Sequence, residues 1–204
     1  ALISERSLIA VMSGDDQFGY SEPLSGMVRE EKTYDENGAI RTRMITDWIT
    51  KGPTGNQYLS LAKRDPRVKR SVTISFEPGS SNALATLSET EYDDAGSNDP
   101  EYFSHLNVKR QKGYHLAAVD YSTATGNALN WSTIESWFPA SKLASVSEMD
   151  YSYDATYKER GILGLPTESR LLNPQNFADI LAKSQASYDE QGTYYSMVDY
   201  GTTT

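Results

Sequence analysis

The sequence contains no cysteine, only two histidines and no long apolar run. Without cysteine the chain can form no disulfide framework, no thiolate zinc site and no thiol nucleophile. His105 and His115 lie ten residues apart without a His-Glu-x-x-His pattern or an obvious third ligand, so we expect surface or loop histidines rather than a metal centre or a general base. No stretch approaches the ~20 apolar residues of a membrane-spanning helix.

Basic charge is also scarce. The chain has 19 Lys and Arg against 28 Asp and Glu, a formal net charge of −9, and an isoelectric point near 4.7. Binding a phosphate backbone requires a basic surface, so we expect no nucleic-acid partner. Residues 63–70 are a basic exception, and they are typical of an exposed connection whose charges oppose pairing between sheet edges. Docking of an acidic partner is the alternative for this stretch.

Tyrosine is abundant, at 14 of 204 residues, whereas apolar residues make up only 38%, below the ~45–50% of an average globular chain. Apolar and polar residues alternate in segments such as 27–34, 41–49 and 70–76, with Gly, Pro, Asn and Asp between the segments. We therefore predict an all-β fold of consecutive antiparallel hairpins, a meander, in which residues 1–204 form a single β-rich region. A subdivision near residues 78–100 is an alternative.

The later strands and one helix are predicted in the same way. Strands are expected at residues 87–92, 114–121, 128–137, 143–153, 167–172, 182–188 and 193–200. At most one short helix is expected, at residues 176–183, where Phe177, Ile180 and Leu181 have i, i+3, i+4 spacing after Asn173 as a cap. No strand-helix-strand unit long enough for a parallel crossover is visible.

A Tyr-Asp-x-x-Gly motif recurs along the chain. Full copies begin at Tyr34, Tyr92 and Tyr188, and degenerate versions begin at Tyr153 and Tyr121. The tyrosine is expected to end a strand with its ring on the buried face, the aspartate to accept backbone N–H bonds, and the glycine to supply the positive φ of a reversal. The predicted repeat-turn residues are Tyr34, Asp35, Gly38, Tyr92, Asp93, Gly96, Tyr153, Asp154, Tyr188, Asp189 and Gly192.

These motifs resemble the rearrangement-hotspot (RHS) or tyrosine-aspartate (YD) repeat family. The charged alternating segments ahead of the full copies, residues 29–34, 87–92 and 183–188, are similar to that family, as is Gly-Leu-Pro-Thr at residues 164–167. Residues 39–91 fit the family poorly. The resemblance implies part of a coiled β-sheet shell, which in this family encloses a toxin polypeptide or serves cell adhesion.

The same resemblance implies partners and a location. The partners are the remainder of the same repeat protein and an enclosed toxin polypeptide, in a secreted or cell-surface setting. The chain is then expected to be a fragment of a larger protein, a structural or encapsulating segment without enzymatic activity and without a cofactor. The family's self-cleaving segment has no matching stretch in this sequence, so no catalytic residue is carried over.

The main alternative is a carbohydrate-binding β-sandwich module. Its candidate stacking residues are Trp48, Trp131 and Trp137, since the flat faces of sugar rings pack on aromatic faces. On an uninterrupted strand Trp131 and Trp137 would point the same way, because their separation of six residues is even. Packing of these rings inside the sheet wall is the competing interpretation.

Two acidic loops raise the question of a calcium site. Residues 14–16 and 93–99 carry carboxylates close together with glycine, as hard cations require. Neither loop has alternating acids followed by glycine and a distal glutamate, and aspartate is common in turns for backbone reasons. We therefore predict no metal site.

Overall fold

The computed structural model describes residues 3–8, 27–51, 64–93, 107–127, 129–162, 164–189 and 194–202. The strands in these ranges are β1 (Ile3–Leu8), β2 (Val28–Tyr34), β3 (Ile40–Lys51), β4 (Arg64–Phe76), β5 (Asn82–Tyr92), β6 (Val108–Tyr114), β7 (Ala117–Asp120), β8 (Leu143–Ser152), β9 (Leu165–Asn173), β10 (Asn176–Tyr188) and β11 (Tyr194–Thr202). The helices in the same ranges are α1 (Tyr121–Thr125), α2 (Trp131–Ser136) and α3 (Ala155–Glu159), and these ranges also contain a 3₁₀ turn at Ala140–Lys142. The predicted all-β antiparallel meander is confirmed. Within the ranges given above, every helix is too short and too polar to cross a bilayer.

The chain divides into two compact units. Unit 1 comprises residues 1–89 and 114–142, and unit 2 comprises residues 90–113 and 143–204. Within each unit the strands pair in chain order, except that β7 pairs with β5.

The core of unit 1 lies on one face of its sheet. Ile45 of β3 pairs with Val72 of β4, and Val72 pairs with Leu87 of β5, so the three buried side chains form a row across the strands. Because side chains alternate between the faces of a strand, Thr73 and Thr86 point to the opposite face and are exposed. Alternation in β4 and β5 therefore decides which face is buried.

The segment after β7 packs on this core. Ala124 of α1 and Ile134 of α2 have no exposed surface, and Phe138 is buried beside them. Asn130 caps α2, since its side chain accepts a hydrogen bond from the Thr133 backbone N–H at 2.9 Å. Helices as short as these are unstable alone, so packing against the sheet holds them.

The part of the unit 2 sheet whose burial is described has a much smaller apolar core than unit 1. Among the described residues of this unit, the buried apolar side chains are those of Leu143, Val146 and Leu172. Val146 of β8 pairs with Leu172 of β9, and two residues further along these strands Glu148 pairs with Arg170. One sheet face therefore begins with an apolar pair and continues with charged side chains.

The prediction of a strand at residues 128–137 is wrong, because Trp131–Ser136 form α2. Ile134 lies three residues from both Trp131 and Trp137, a spacing that suits a helix, and it is buried against the core. The degenerate turn expected at Tyr121 is also helical: it is α1, capped by Asp120.

The prediction of a helix at residues 176–183 is wrong as well, because these residues belong to β10. Register shifts on both sides of Ile180 interrupt the alternation that would have marked a strand. Asn173 accepts a hydrogen bond from the Gln175 backbone N–H at 3.0 Å in the turn between β9 and β10, instead of capping a helix.

The basic stretch is not a connection. Residues 64–70 form the first half of β4, where Val68 pairs with Trp48 of β3 and Arg70 pairs with Asp47. Lys63 lies outside the described residues. Two further strands, β1 and β6, were not predicted.

Candidate functional site

The first repeat turn joins β2 to β3 in unit 1. The Asp35 carboxylate accepts hydrogen bonds from the backbone N–H groups of Asn37 and Ala39, both at 2.9 Å. Gly38 has a φ of +78°, a left-handed conformation that costs residues with a side chain ~1–2 kcal/mol. The aspartate fixes this turn and the glycine completes the reversal.

Two side-chain contacts attach the first turn to its neighbours. Arg41 Nη2 donates to Asp35 Oδ2 at 2.6 Å. The hydrogen bond from the Ala39 backbone N–H is the largest cause that lowers the pKa of Asp35. The Tyr34 hydroxyl donates to Glu5 Oε2 of β1 at 2.7 Å, and this bond raises the pKa of Tyr34. The tyrosine therefore links β2 to the first strand.

The second repeat turn begins at the end of β5, in unit 2. Asp93 follows Tyr92, is 6% exposed, and donates its backbone N–H to the Asn107 carbonyl at 2.9 Å. Burial is the main cause that raises the pKa of Tyr151, and the charge of Asp93 adds to it. Gly96 and residues 94–99 lie outside the described residues.

The last two repeat turns also belong to unit 2. Asp154 accepts a hydrogen bond from the Thr156 backbone N–H at 2.8 Å, but α3 follows, so the connection to β9 is longer than a tight reversal. Tyr188 ends β10, and β11 returns antiparallel to it. Tyr157 donates its hydroxyl to the Asp189 carbonyl at 2.7 Å. Gly192 lies outside the described residues.

Three of the motif tyrosines use the hydroxyl in a way that the sequence did not indicate. Tyr34 donates to Glu5, as described above, and Tyr188 donates to the Pro166 carbonyl at 2.7 Å. The Tyr153 hydroxyl accepts a hydrogen bond from Asn107 Nδ2 at 3.1 Å. Each hydroxyl therefore joins a strand end to another segment of its own unit.

The three candidate stacking tryptophans are held in different ways. Trp131 and Trp137 pack against the core of unit 1, whereas Trp48 donates its Nε1 hydrogen to the Val28 carbonyl at 2.9 Å. All three side chains are half-buried. Six residues correspond to about 1.7 helical turns, so Trp131 and Trp137 do not share one face as they would on a strand.

A cleft of about 250 Å³ lies beside Trp131, within unit 1. Arg29, Arg43 and Glu30 supply its charged lining, and Ile45 and Ile134 supply apolar lining together with Trp131. An aromatic ring, apolar surface and a few convergent polar groups are the usual constituents of a small-ligand site. We call this feature the Trp131 cleft.

Arg43 is the most buried charged residue of the Trp131 cleft, at 3% exposure. Its Nε donates to Glu30 Oε1 at 2.5 Å. Its Nη1 donates to the carbonyls of Ala124 at 2.6 Å and Gly126 at 2.9 Å. These partners offset the cost of burying the cation, and they tie β3 to the helical segment that covers the core.

Arg70 holds the Trp131 ring from β4. Its guanidinium carbon lies 4.3 Å from the ring centroid. Its Nε donates to Asp47 Oδ2 at 2.7 Å, and it also contacts Glu135. The position of the aromatic wall is therefore fixed by a cation that is itself held between two carboxylates.

A chain of ion pairs crosses one face of the unit 2 sheet. Arg110 of β6 lies 3.2 Å from Glu91 of β5 and donates its Nε to Glu148 of β8 at 2.6 Å. Lys112 also contacts Glu91. Each of these contacts joins neighbouring strands.

Arg170 of β9 continues this chain. Its Nη2 lies 2.7 Å from Asp150 and 3.4 Å from Glu148, and its Nη1 lies 3.4 Å from Glu168. Lys183 of β10 then contacts Glu168 at 2.7 Å, and this bond is the largest cause that lowers the pKa of Glu168. We call the set the ion-pair ladder: Glu91, Arg110, Lys112, Glu148, Asp150, Glu168, Arg170 and Lys183.

The ion-pair ladder contains as many acids as bases, so its charges compensate one another. Single exposed ion pairs contribute ~0–1 kcal/mol, but connected networks contribute more. With little apolar core in the described part of unit 2, the ladder and the backbone hydrogen bonds hold its strands together. Its role is therefore structural.

The metal-site candidates can be placed only in part. His115 is exposed, and its backbone N–H donates to the Lys142 carbonyl at 2.8 Å. His105 and residues 14–16 lie outside the described residues. Where the structure describes the chain, no group of three or more His, Asp or Glu is arranged to hold a metal ion.

No protein-family model matches the chain. No curated protein matches it either. We therefore infer the function from the geometry of each unit by itself.

Proposed function

We propose that this chain is a section of the β-sheet wall of a larger RHS/YD-type repeat protein. In this proposal the chain is a non-enzymatic segment whose wall encloses or presents a toxin polypeptide or mediates adhesion at the cell surface or outside the cell. Its partners are the remainder of the same protein and the enclosed polypeptide.

The observation that carries the proposal is the exposed edge of a meander whose strands pair in chain order. β1 pairs with β2 on one side, and all six of its residues are exposed. Among the described strands, none pairs with the other edge of β1. An unpaired strand edge is a template for a further strand, as a section of a continuous wall requires.

The composition of the unit 2 sheet supports the same proposal. A wall has solvent on its faces and cannot rely on a thick apolar core, so its strands need polar contacts between neighbours. The ion-pair ladder supplies such contacts. The hydroxyl bonds of Tyr34, Tyr153 and Tyr188 tie strand ends to other segments, which favours a sheet built from repeated turns.

The edge can be tested by sedimentation of the 204-residue chain over a range of concentrations. We expect self-association, since Ile3 and Leu8 of β1 are 61% and 53% exposed. Ile3→Lys and Leu8→Lys place charges on the edge and should reduce the association. Leu84→Lys is the matched control, because Leu84 is exposed on β5 and is not part of β1.

Two results would contradict the edge proposal. One is a chain that stays monomeric at every concentration. The other is an association that Leu84→Lys weakens as strongly as the β1 variants do.

A second function, carbohydrate binding, is proposed on a separate observation. Of the three tryptophans, Trp131 lines a cleft that also contains charged and apolar groups. A glycan array tests this function broadly: binding of any glycan by the intact chain supports it, and no binding contradicts it.

A further inference from the structure

We infer that the Trp131 cleft binds one hydroxyl-rich ring, such as a single pyranose unit of a glycan. The inference deepens the carbohydrate-binding proposal, on which it rests, and it is independent of the wall proposal. Three parts of the cleft support it: a buried guanidinium, its carboxylate partner and a fixed aromatic ring.

One terminal nitrogen of the Arg43 guanidinium carries N–H donors that bind no described residue. A guanidinium carries five N–H groups, one on Nε and two on each terminal nitrogen. Nε binds Glu30 and Nη1 binds the Ala124 and Gly126 carbonyls. Nη2 makes no hydrogen bond to a described residue, although the side chain is 3% exposed and lines the cleft. A buried cation with free donors favours a ligand that can accept hydrogen bonds.

Glu30 supplies an acceptor beside these donors. Its Oε1 accepts the bond from Arg43 and lies 3.6 Å from Lys32 Nζ. Its Oε2 accepts no hydrogen bond from a described residue. A hydroxyl group both donates and accepts, so a donor and an acceptor held side by side match two adjacent hydroxyl groups of a ring. The carboxylate also compensates the charge of the buried Arg43. The second cation of the lining, Arg29, is exposed, so solvent screens its charge. We therefore expect a neutral ring rather than a phosphate or sulfate.

The Trp131 ring supplies the flat apolar surface. A sugar ring has one face of C–H groups, which packs on an aromatic face as other apolar groups do. Arg70 covers one face of the indole, so we expect the ligand on the opposite face. Arg70 fixes the indole at 4.3 Å, and Asp47 fixes Arg70. A ring that is already held in place loses little conformational entropy when a ligand binds.

The size of the cleft limits the ligand. Its volume of about 250 Å³ is below the ~300–1,000 Å³ of sites for drug-sized ligands. The cleft therefore accommodates one ring rather than several consecutive ones. A contact of this size gives weak binding, and we expect dissociation constants in the millimolar range.

Saturation-transfer NMR on the intact chain tests the inference. The probes are the methyl glycosides of glucose, galactose, mannose and N-acetylglucosamine, with glucuronic acid as an acidic comparison. We expect at least one neutral glycoside to bind. Arg43→Lys keeps the charge but loses the planar guanidinium with its several N–H donors. It should therefore weaken the binding of that glycoside by about tenfold or more, which corresponds to a loss of about 1.4 kcal/mol.

Matched controls separate the cleft from general effects on the fold. Arg41 lies two residues from Arg43 on β3 and does not line the Trp131 cleft, so Arg41→Lys should leave the affinity within about twofold, as expected for a residue outside the contact. Trp131→Leu should abolish binding, and Trp137→Leu should not. Circular dichroism verifies folding, and Glu30→Gln gives a second weakening variant if Arg43→Lys is unfolded.

The outcomes distinguish the two proposals. If a glycoside binds and neither Arg43→Lys nor Trp131→Leu weakens its binding, the cleft inference is wrong. The carbohydrate-binding function is then retained, but at another site on the chain. If neither the glycosides nor the glycan array shows binding, both are wrong. Stronger binding of glucuronic acid than of every neutral glycoside would overturn the preference for a neutral ring.

Discussion

Arg70 lies against the Trp131 ring, with its guanidinium carbon 4.3 Å from the ring centroid. Asp47 and Glu135 hold the same guanidinium from β3 and α2. The contact therefore joins two strands to the helical segment and fixes one wall of the cleft.

Replacement of this arginine by lysine tests the contact. Arg70→Lys keeps the charge, but an ammonium group cannot stack flat on the indole and bridge two carboxylates. We expect a loss of ~1 kcal/mol in the free energy of unfolding, measured by urea denaturation. Lys69→Met is the control, since Lys69 is an exposed cation of the same strand. Equal effects of the two substitutions would contradict the prediction.

Two leucines of β5 test which face of the unit 1 sheet is buried. Leu87 is 4% exposed and Leu84 is 40% exposed. Leu87→Ala removes buried methyl groups and should cost ~2–5 kcal/mol, because it leaves a cavity. Leu84→Ala should cost under ~1 kcal/mol, because the side chain is already in contact with water. Urea unfolding of both variants measures the difference, and a larger cost at Leu84 would reverse the assignment of the faces.

The repeat turn at Asp35 should make stability depend on pH. Its hydrogen bonds, above all from the Ala39 backbone N–H, lower the pKa of Asp35 in the folded state. The stabilisation is therefore complete above the unfolded pKa of ~3.9 and is lost as the pH falls through the lower folded pKa. Asp35→Asn should reduce the acid-induced loss of stability, measured by urea unfolding between neutral pH and pH ~2.

A second group should act in the same direction. The hydrogen bond from Lys183 lowers the pKa of Glu168, so Glu168→Gln should also reduce the loss of stability at acid pH. If both variants lose stability on acidification as steeply as the unmodified chain does, these carboxylates are not stabilised in the folded state.

The ion-pair ladder should contribute measurably to unit 2. Arg170→Met leaves Glu148, Asp150 and Glu168 without the cation that separates them. We expect a loss of ~1–2 kcal/mol, given that the network is partly exposed to solvent, and a smaller loss at high salt. Lys109→Met is the control on β6, where the exposed Lys109 is not part of the ladder. A loss that is the same at low and high salt would rule out an electrostatic origin.

The strands with clear alternation could be predicted from the sequence. In β4, Val72, Ile74 and Phe76 occupy every second position and are all buried. The helix α2 was predicted as a strand, although Asn130 as a cap and the three-residue spacing of Trp131 and Ile134 were local signals of a helix. Its stability comes from Ile134 packing on a sheet that is distant in sequence, which the sequence does not show. The first part of β10 was predicted as a helix because register shifts near Ile180 hide its period, whereas its second part was predicted as the strand at residues 182–188.

The candidate sites depend on strand register, which the sequence alone does not fix. The Tyr-Asp motif could be recognised in the sequence, and the contacts of Asp35 follow from its local turn chemistry. The pairing of Arg43 with Glu30 requires a known alignment of β2 and β3, in which Glu30 pairs with Ile45. The sequence did contain one signal of these contacts. Charged residues occupy alternate positions at Glu30 and Lys32 and again at Arg41 and Arg43, a pattern that indicates a polar face on each strand.

Electron microscopy of the full-length product of the gene tests the wall proposal most directly. We expect a further strand to pair with the outer edge of β1, so that the sheet continues beyond this segment into a wall around an internal cavity. A β1 edge that faces solvent in a separate globular domain, with no enclosing sheet, would contradict it.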